Sequence, residues 1–224
     1  MIAAIARPHV DWFALSPALA MIGASAVLLL VAVLVPRRVR KPVAAGGALV
    51  GFVTAFVLAV VLAAKSPDGT TEVADSIFRD RWSAVAMVLI AGCGAVAVFL
   101  SYGEQWREDH VAEYYALLAA AGAGMAFFVE AANLMTLFLG LEWFSISLYI
   151  LCAIDIDLVG SLEAGLKYLV VGAVGSATLL FGSALVYGAT GELAFDKIGQ
   201  AGHPHDSLFV LGLAMVIAGL AFKA

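Results

Sequence analysis

Seven long apolar runs constrain this chain more than any other feature. They lie at about 17–35, 43–64, 82–101, 114–131, 133–154 and 162–188, and from about 207 to Ala224. Each complete run is near the roughly 20 residues that cross about 30 Å of hydrocarbon at 1.5 Å per residue. Inside a bilayer each backbone N–H and C=O must be satisfied without water, so runs of this length read as helices. Composition agrees. The chain is 63% hydrophobic and 13% charged, with a mean hydropathy of +1.02, whereas ordinary soluble domains carry about 25% charged residues. The expected fold class is an all-α integral membrane protein with about seven transmembrane helices. The links between runs are too short to hold a soluble catalytic domain.

The polar remainder narrows the function classes. The formal net charge of −5 is spread over the links, so the lipid bilayer is an expected partner and nucleic acid is not. Cys93 and Cys152 fall inside predicted spans without CxxC spacing and read as small structural thiols rather than a disulfide or metal site. His9, His110, His203 and His205 fall in links or at helix ends. His203-Pro-His205 has donors for weak metal binding, but no Cys or further His stands near it, and a solvated loop is the better reading. No GxGxxG, P-loop or redox-ligand pattern occurs, so no cofactor and no redox chemistry are expected on this chain.

The basic cluster Arg37-Arg38-Val39-Arg40-Lys41 follows the first run. The first run is no signal peptide: it lacks a basic leader, Asp11 precedes it, and its apolar stretch is too long. The cluster predicts a cytoplasmic first link and an outside N-terminus. Alternation then puts 102–113 and 155–161 inside, and 65–81 and 189–206 outside. Arg107 adds to the inside tally and Arg7, Lys65, Arg79, Arg81 and Lys197 to the outside one, so the two sides balance and the dense cluster alone sets the orientation. The turn at 131–133 predicts a tight helical hairpin with Glu130 and Asn133 at its interfacial tip. Trp82 and Trp106 sit near predicted boundaries and suit an aromatic belt. Gly47 and Gly51, and the strip Gly172, Gly175, Ser176 and Gly182, suit close helix packing.

Few ionisable residues lie inside the runs. Glu142 is the deepest, in Leu137-Phe-Leu-Gly-Leu-Glu142-Trp-Phe-Ser145. A charge at the bilayer midplane costs roughly 2.5–3.5 kcal/mol on insertion scales. Trp143, its neighbour, is placed to shield it. Lys167 lies five residues into the sixth run and Lys223 deep in the seventh. Glu142 and the lysines serve either a proton path or a structural interhelical hydrogen bond. Lys167 can also snorkel to the interface, and Glu163 stands four residues before it in the order that favours a surface ion pair. A buried Glu and Lys make a switch. Burial favours the neutral form of both, and their attraction favours the charged form. At about 7 Å and an effective dielectric near 20, that attraction is roughly 2.4 kcal/mol, nearly two pKa units.

The segments Phe138-Leu-Gly-Leu-Glu142, Ser145-Ile-Ser-Leu-Tyr149, Glu163-Ala-Gly-Leu-Lys167-Tyr168 and Gly182-Ser-Ala-Leu-Val-Tyr-Gly-Ala-Thr-Gly-Glu-Leu193 resemble the antiporter-like membrane subunits of respiratory complex I, the NADH–quinone oxidoreductase. The resemblance covers about 130–224; before that, only length and hydrophobicity match. It implies proton translocation through a glutamate in the fifth helix and lysines in the sixth and seventh, matched here by Glu142, Lys167 and Lys223. It also implies a seventh helix that breaks near its lysine.

Members of that family have about fourteen helices in two inverted repeats. The chain therefore reads as a truncated first half, with a three-helix segment at 1–112 and an incomplete first repeat at 113–224. The implied partners are other membrane subunits, especially neighbouring antiporter-like ones, in a bacterial inner membrane. NADH, flavin, iron–sulfur clusters and quinone would belong to other parts of the parent complex. A subunit of a multisubunit cation/proton antiporter, and a purely structural membrane subunit, stand as alternatives.

Overall fold

The computed structural model describes residues 10–65, 69–72, 76–104, 110–203 and 205–223. His9, Arg7, Trp106 and Arg107 lie outside the described residues. The elements run α1 (Ser16–Leu34), α2 (Arg37–Lys65), β1 (Thr70–Glu72), β2 (Ile77–Arg79), α3 (Arg81–Tyr102), α4 (Val111–Val129), α5 (Leu134–Cys152), α6 (Val159–Thr190), α7 (Phe195–Ala201) and α8 (Ser207–Ala221). Among the described residues six helices, α1 to α6, are long and apolar enough to cross a membrane. The seventh apolar helix, α8, has 15 residues, about 22 Å of rise, less than the hydrocarbon core.

Local chemistry marks the helix starts. Asp80 and Ser83 form a reciprocal capping box at α3: Ser83 N donates to Asp80 Oδ1 at 2.7 Å, and Asp80 N to Ser83 Oγ at 3.1 Å. Asn133 accepts from Thr136 N at 2.7 Å to cap α5, and Asp206 accepts from Leu208 N at 2.9 Å to cap α8. Helix α6 ends at Gly191, whose φ of 72° is the left-handed conformation that stops a helix and suits glycine.

The basic cluster departs from the expected loop. Arg37–Lys41 forms the first turn of α2, after a break of two residues at Val35 and Pro36. The reason is local. The C-terminal carbonyls of α1 need donors, and the Arg40 guanidinium supplies two to Val35 O, at 3.3 and 3.2 Å. Lys41 Nζ donates to Glu104 O at 2.8 Å and lies 5.3 Å from the centre of the Tyr102 ring. The end of α1, the start of α2 and the end of α3 thus share one side of the bundle.

At the other side three irregular segments knit together, and none was expected to be regular. Strands β1 and β2 pair antiparallel, and Ile77 bridges to Ala131 while Asn133 bridges to Ala194. Ala132 N donates to Ser76 O at 3.0 Å, and Phe195 N to Ala132 O at 3.1 Å. The α4–α5 turn is therefore clamped between the 70–79 hairpin and the short helix α7.

Packing divides into two buried clusters. One joins α1 to α4 and is built mainly of alanine around Met21, Phe52, Met87 and Tyr115. The other holds Leu134, Leu141, Leu179, Val186, Ile198 and Val216. Small residues let helices meet backbone to backbone. A Cβ on Gly124 would stand 2.6 Å from Phe144 N, and one on Gly140 2.7 Å from Phe128 N, so α4 and α5 pack as a tight pair. Gly51 faces Ala24, which accounts for the α1–α2 contact. Helix α8 lies along α6, which also packs on α5.

Candidate functional site

Glu142, Ser145 and Tyr149 fall at i, i+3 and i+7 of α5, and so on one face of the helix. That face looks toward α6 and the end of α8. Lys223, just past α8, reaches across with Nζ 2.6 Å from Glu142 Oε1 and 3.0 Å from Ser145 Oγ. Ser176 of α6 places its single hydroxyl donor between the same carboxylate oxygen and Gly172 O, the latter at 3.0 Å. Ser145 also donates to Leu141 O at 2.6 Å. The Lys223 side chain is 7% exposed and that of Glu142 24%. Eight residues from the start of α5, about 12 Å of rise, put this pair near mid-span.

The arrangement joins opposite charges, the ammonium almost enclosed and the carboxylate partly so. At contact distance and an effective dielectric near 20, the attraction is about 4 kcal/mol. The two serine hydroxyls supply the additional polar partners that a buried ion pair needs.

Lys167 stands apart. It pairs with Glu163 at 2.5 Å, with the two side chains 73% and 58% exposed. Nine residues of α6 separate it from Ser176, which is level with Glu142, and this amounts to about 13 Å along the axis. The i,i+4 surface pair kept open by the sequence is the arrangement formed, and of the three candidate residues Glu142 and Lys223 are brought together while Lys167 is not. Trp143 also departs from expectation. It does not roof Glu142: its ring stacks on Phe127 of α4, with centroids 5.7 Å apart. Cys93 and Cys152 are free and exposed on the helix surfaces. His203 and His205 are exposed, and among the described residues no group of three His, Cys, Asp or Glu could hold a metal.

Three members of the site escaped the reading of the sequence as polar partners: Ser145, Ser176 and Tyr149. The helical spacing from Glu142 was a usable signal for Ser145 and Tyr149. Ser176 read only as a small packing residue.

A second polar cluster lies at the α4–α5 turn, outside the spans. Glu130 is not an interfacial tip residue but 1% exposed, sealed beneath β2, whose Phe78 N donates to Glu130 O at 2.7 Å. Its Oε2 has no hydrogen-bond partner. Burial pushes its carboxyl up to about 8, and the nearby Arg79 guanidinium only partly offsets this. Arg79 Nη1 is instead 3.1 Å from Asp11 Oδ2.

A carboxyl bound more tightly to its proton when folded than when unfolded contributes stability below about 4.5, which is lost as pH rises through about 8. Glu130→Gln should therefore melt near the wild type at pH 4, and increasingly above it as pH rises from about 4.5 to 8. The gap should be about 2–4 °C for each kcal/mol that the ionised carboxylate costs. Thermal denaturation of the purified protein in detergent checks this, and parallel pH profiles for the two proteins would contradict it.

With this geometry in place, comparison adds a lineage. The family described as NADH:quinone oxidoreductase/Mrp antiporter, transmembrane, matches residues 131–224. NADH-quinone oxidoreductase subunit N of Hirschia baltica is 42% identical over 142 residues, covering 63% of this chain and 30% of the relative. Subunit N of Geotalea uraniireducens is 36% identical over 217 residues, covering 95% of this chain and 45% of the relative. Among solved structures, respiratory complex I from Thermus thermophilus with bound aureothin contains a chain that superposes with a TM-score of 0.75 at 27% identity. That match covers 93% of this chain and 44% of the other. The chain thus spans less than half the length of the proteins it matches.

Proposed function

We propose, because residues 131–224 match the family described as NADH:quinone oxidoreductase/Mrp antiporter, transmembrane, that the chain forms the N-terminal part of a proton-translocating subunit of an NADH–quinone oxidoreductase. The observation that carries this reading is the buried Glu142–Lys223 pair near mid-span. A lysine held on a carboxylate keeps its proton, and a lysine parted from it can pass the proton on. A conformational or charge change elsewhere in the complex that separates the pair would therefore drive one transfer step. Lys167, about 13 Å along the bundle from the level of the pair, is the next ionisable group on that side and would exchange protons with the aqueous boundary.

The chain carries no redox chemistry in this reading. NADH oxidation, flavin, iron–sulfur clusters and quinone belong to other subunits, and its partners are neighbouring antiporter-like membrane subunits. Residues 1–112 act as a three-helix support, and 113–224 as the start of the proton-conducting repeat. A second reading, a subunit of a multisubunit cation/proton antiporter, is kept because the matched family spans both assemblies.

The test is proton uptake by inverted membrane vesicles from cells carrying tagged protein. NADH-driven, quinone-dependent uptake, with NADH-oxidising subunits recovered on the tag, supports the first reading. Uptake that requires a monovalent-cation gradient and ignores NADH supports the second.

We further propose a bacterial inner-membrane location with the Arg37–Lys41 turn in the cytoplasm and the N-terminus outside, because dense basic clusters are retained inside. Val39 is exposed on that turn. A cysteine placed there should react with a membrane-impermeant maleimide only after the membrane is opened, and labelling of intact cells would reverse the orientation.

A further inference from the structure

We infer that Tyr149 is a positioning residue that gives the Lys223 ammonium a second seat, and this rests on the proton-translocation reading. Tyr149 lies two turns below Glu142 on the same face of α5 and is 7% exposed. Its hydroxyl is buried without a hydrogen-bond partner. A phenol oxygen left unpaired in apolar surroundings is destabilising, and phenylalanine at this position would avoid that cost while filling the same space.

Two further observations tie the hydroxyl to Lys223. First, Lys223 Nζ already stands 5.9 Å from the centre of the Tyr149 ring, within cation–π range, while it contacts Glu142. Second, the space for the hydroxyl is built into α6. The Tyr149 oxygen lies where a side chain on Gly172 would begin, and the Tyr168 ring packs edge-on against the Tyr149 ring, with centroids 4.8 Å apart.

The lysine stem is flexible and its ammonium has three donors. When Glu142 takes up a proton, Lys223 loses its counter-charge. Beyond the Ser145 hydroxyl that it already touches, the further acceptor toward which the ammonium swings is the Tyr149 oxygen, backed by the ring face. From this second seat Lys223 is one turn closer to the end of α6 that carries Lys167. The groups facing Lys223 are Glu142, Ser145 and Tyr149 on α5 and Ser176 on α6. Tyr168 stands behind Tyr149, and Lys167 and Glu163 lie on the exposed side of α6.

The experiment compares wild type, Tyr149→Phe and Glu142→Gln in the assembled complex in native membranes, reading proton pumping and quinone reduction from pH 5.5 to 9. Tyr149→Phe keeps the ring, its contact with Tyr168 and its volume. It should lower the pumping rate about tenfold, as expected for one lost hydrogen bond to a charged group, and displace the pH profile of pumping. A merely structural role for Tyr149 moves neither. Gly172→Ala, which drives the hydroxyl from its slot, should reproduce the displaced profile. A Tyr149→Phe rate and profile that overlie the wild type, beside impaired Glu142→Gln, would overturn this inference alone. Normal pumping by Glu142→Gln would remove it together with the proposed function.

Discussion

Replacing Glu142 by glutamine should cut proton pumping at least tenfold while leaving the complex assembled. Glutamine removes the counter-charge of the Lys223 ammonium, and a charge-assisted hydrogen bond is worth about 1.5–3 kcal/mol, where each 1.4 kcal/mol is a factor of ten. The amide keeps the volume and still accepts from Ser176 Oγ, so packing between α5 and α6 survives. It cannot hold the field that ties the Lys223 proton to the state of residue 142. Glu142→Asp keeps the charge on a shorter stem and should be milder. Lys223→Ala should approach the loss seen with Glu142→Gln, since Lys223 is the only other charged group within contact of that carboxylate among the described residues. Lys167→Ala should cost less, and Glu163→Gln least, because both side chains stand at the surface, Lys167 about 13 Å and Glu163 about 19 Å along the axis from the pair. The measurement is NADH-driven proton uptake, normalised to assembled complex, in inverted vesicles. Near-wild-type uptake by Glu142→Gln would leave the pair a structural contact and nothing more.

Substituting Gly182 with leucine should have the second large effect, on assembly rather than chemistry. A Cβ at this position would stand 2.7 Å from Val216 N and 2.8 Å from Gly212 O, and one at Gly219 2.6 Å from Leu179 N. These neighbours are backbone atoms that no rotamer change can move. Helices α6 and α8 must then separate, and overpacking of this kind commonly costs about 1–3 kcal/mol or more. Because α8 carries Lys223 to Glu142, the 2.6 Å contact is lost as well. Gly182→Leu should therefore lower both the amount of protein in the membrane, several-fold, and its melting temperature in detergent. Gly160→Ala on the same helix has nothing within 4 Å of its added Cβ and should be neutral. Wild-type levels and melting for Gly182→Leu would show that α6 and α8 do not meet backbone to backbone.

The sequence alone determined the long helices, because hydrocarbon leaves the backbone so few options. Apolar length marked α1 to α6 within a few residues, except that α2 begins in the basic cluster and α6 runs beyond its apolar run at both ends. Glu142 was legible for the same reason: a carboxylate in the middle of such a run is costly wherever the helix sits. The resemblance was legible over about 130–224, and the family model matches residues 131–224.

Only the tertiary structure decided which lysine meets Glu142. Lys223 is 81 residues away in the chain and Lys167 only 25, yet separation along the chain says nothing about level within a bundle. Helix α5 descends while α6 rises, so Lys167 emerges about 13 Å from the level of Glu142, whereas glycine-to-backbone packing of α8 on α6 delivers Lys223 to it. The same holds for Glu130. Its position at a turn predicts exposure, and only the 70–79 hairpin folding over that turn buries it. Periodicity records which face a residue occupies; what that face meets depends on the crossing of helices and on loops whose pairing partners lie far away in the chain.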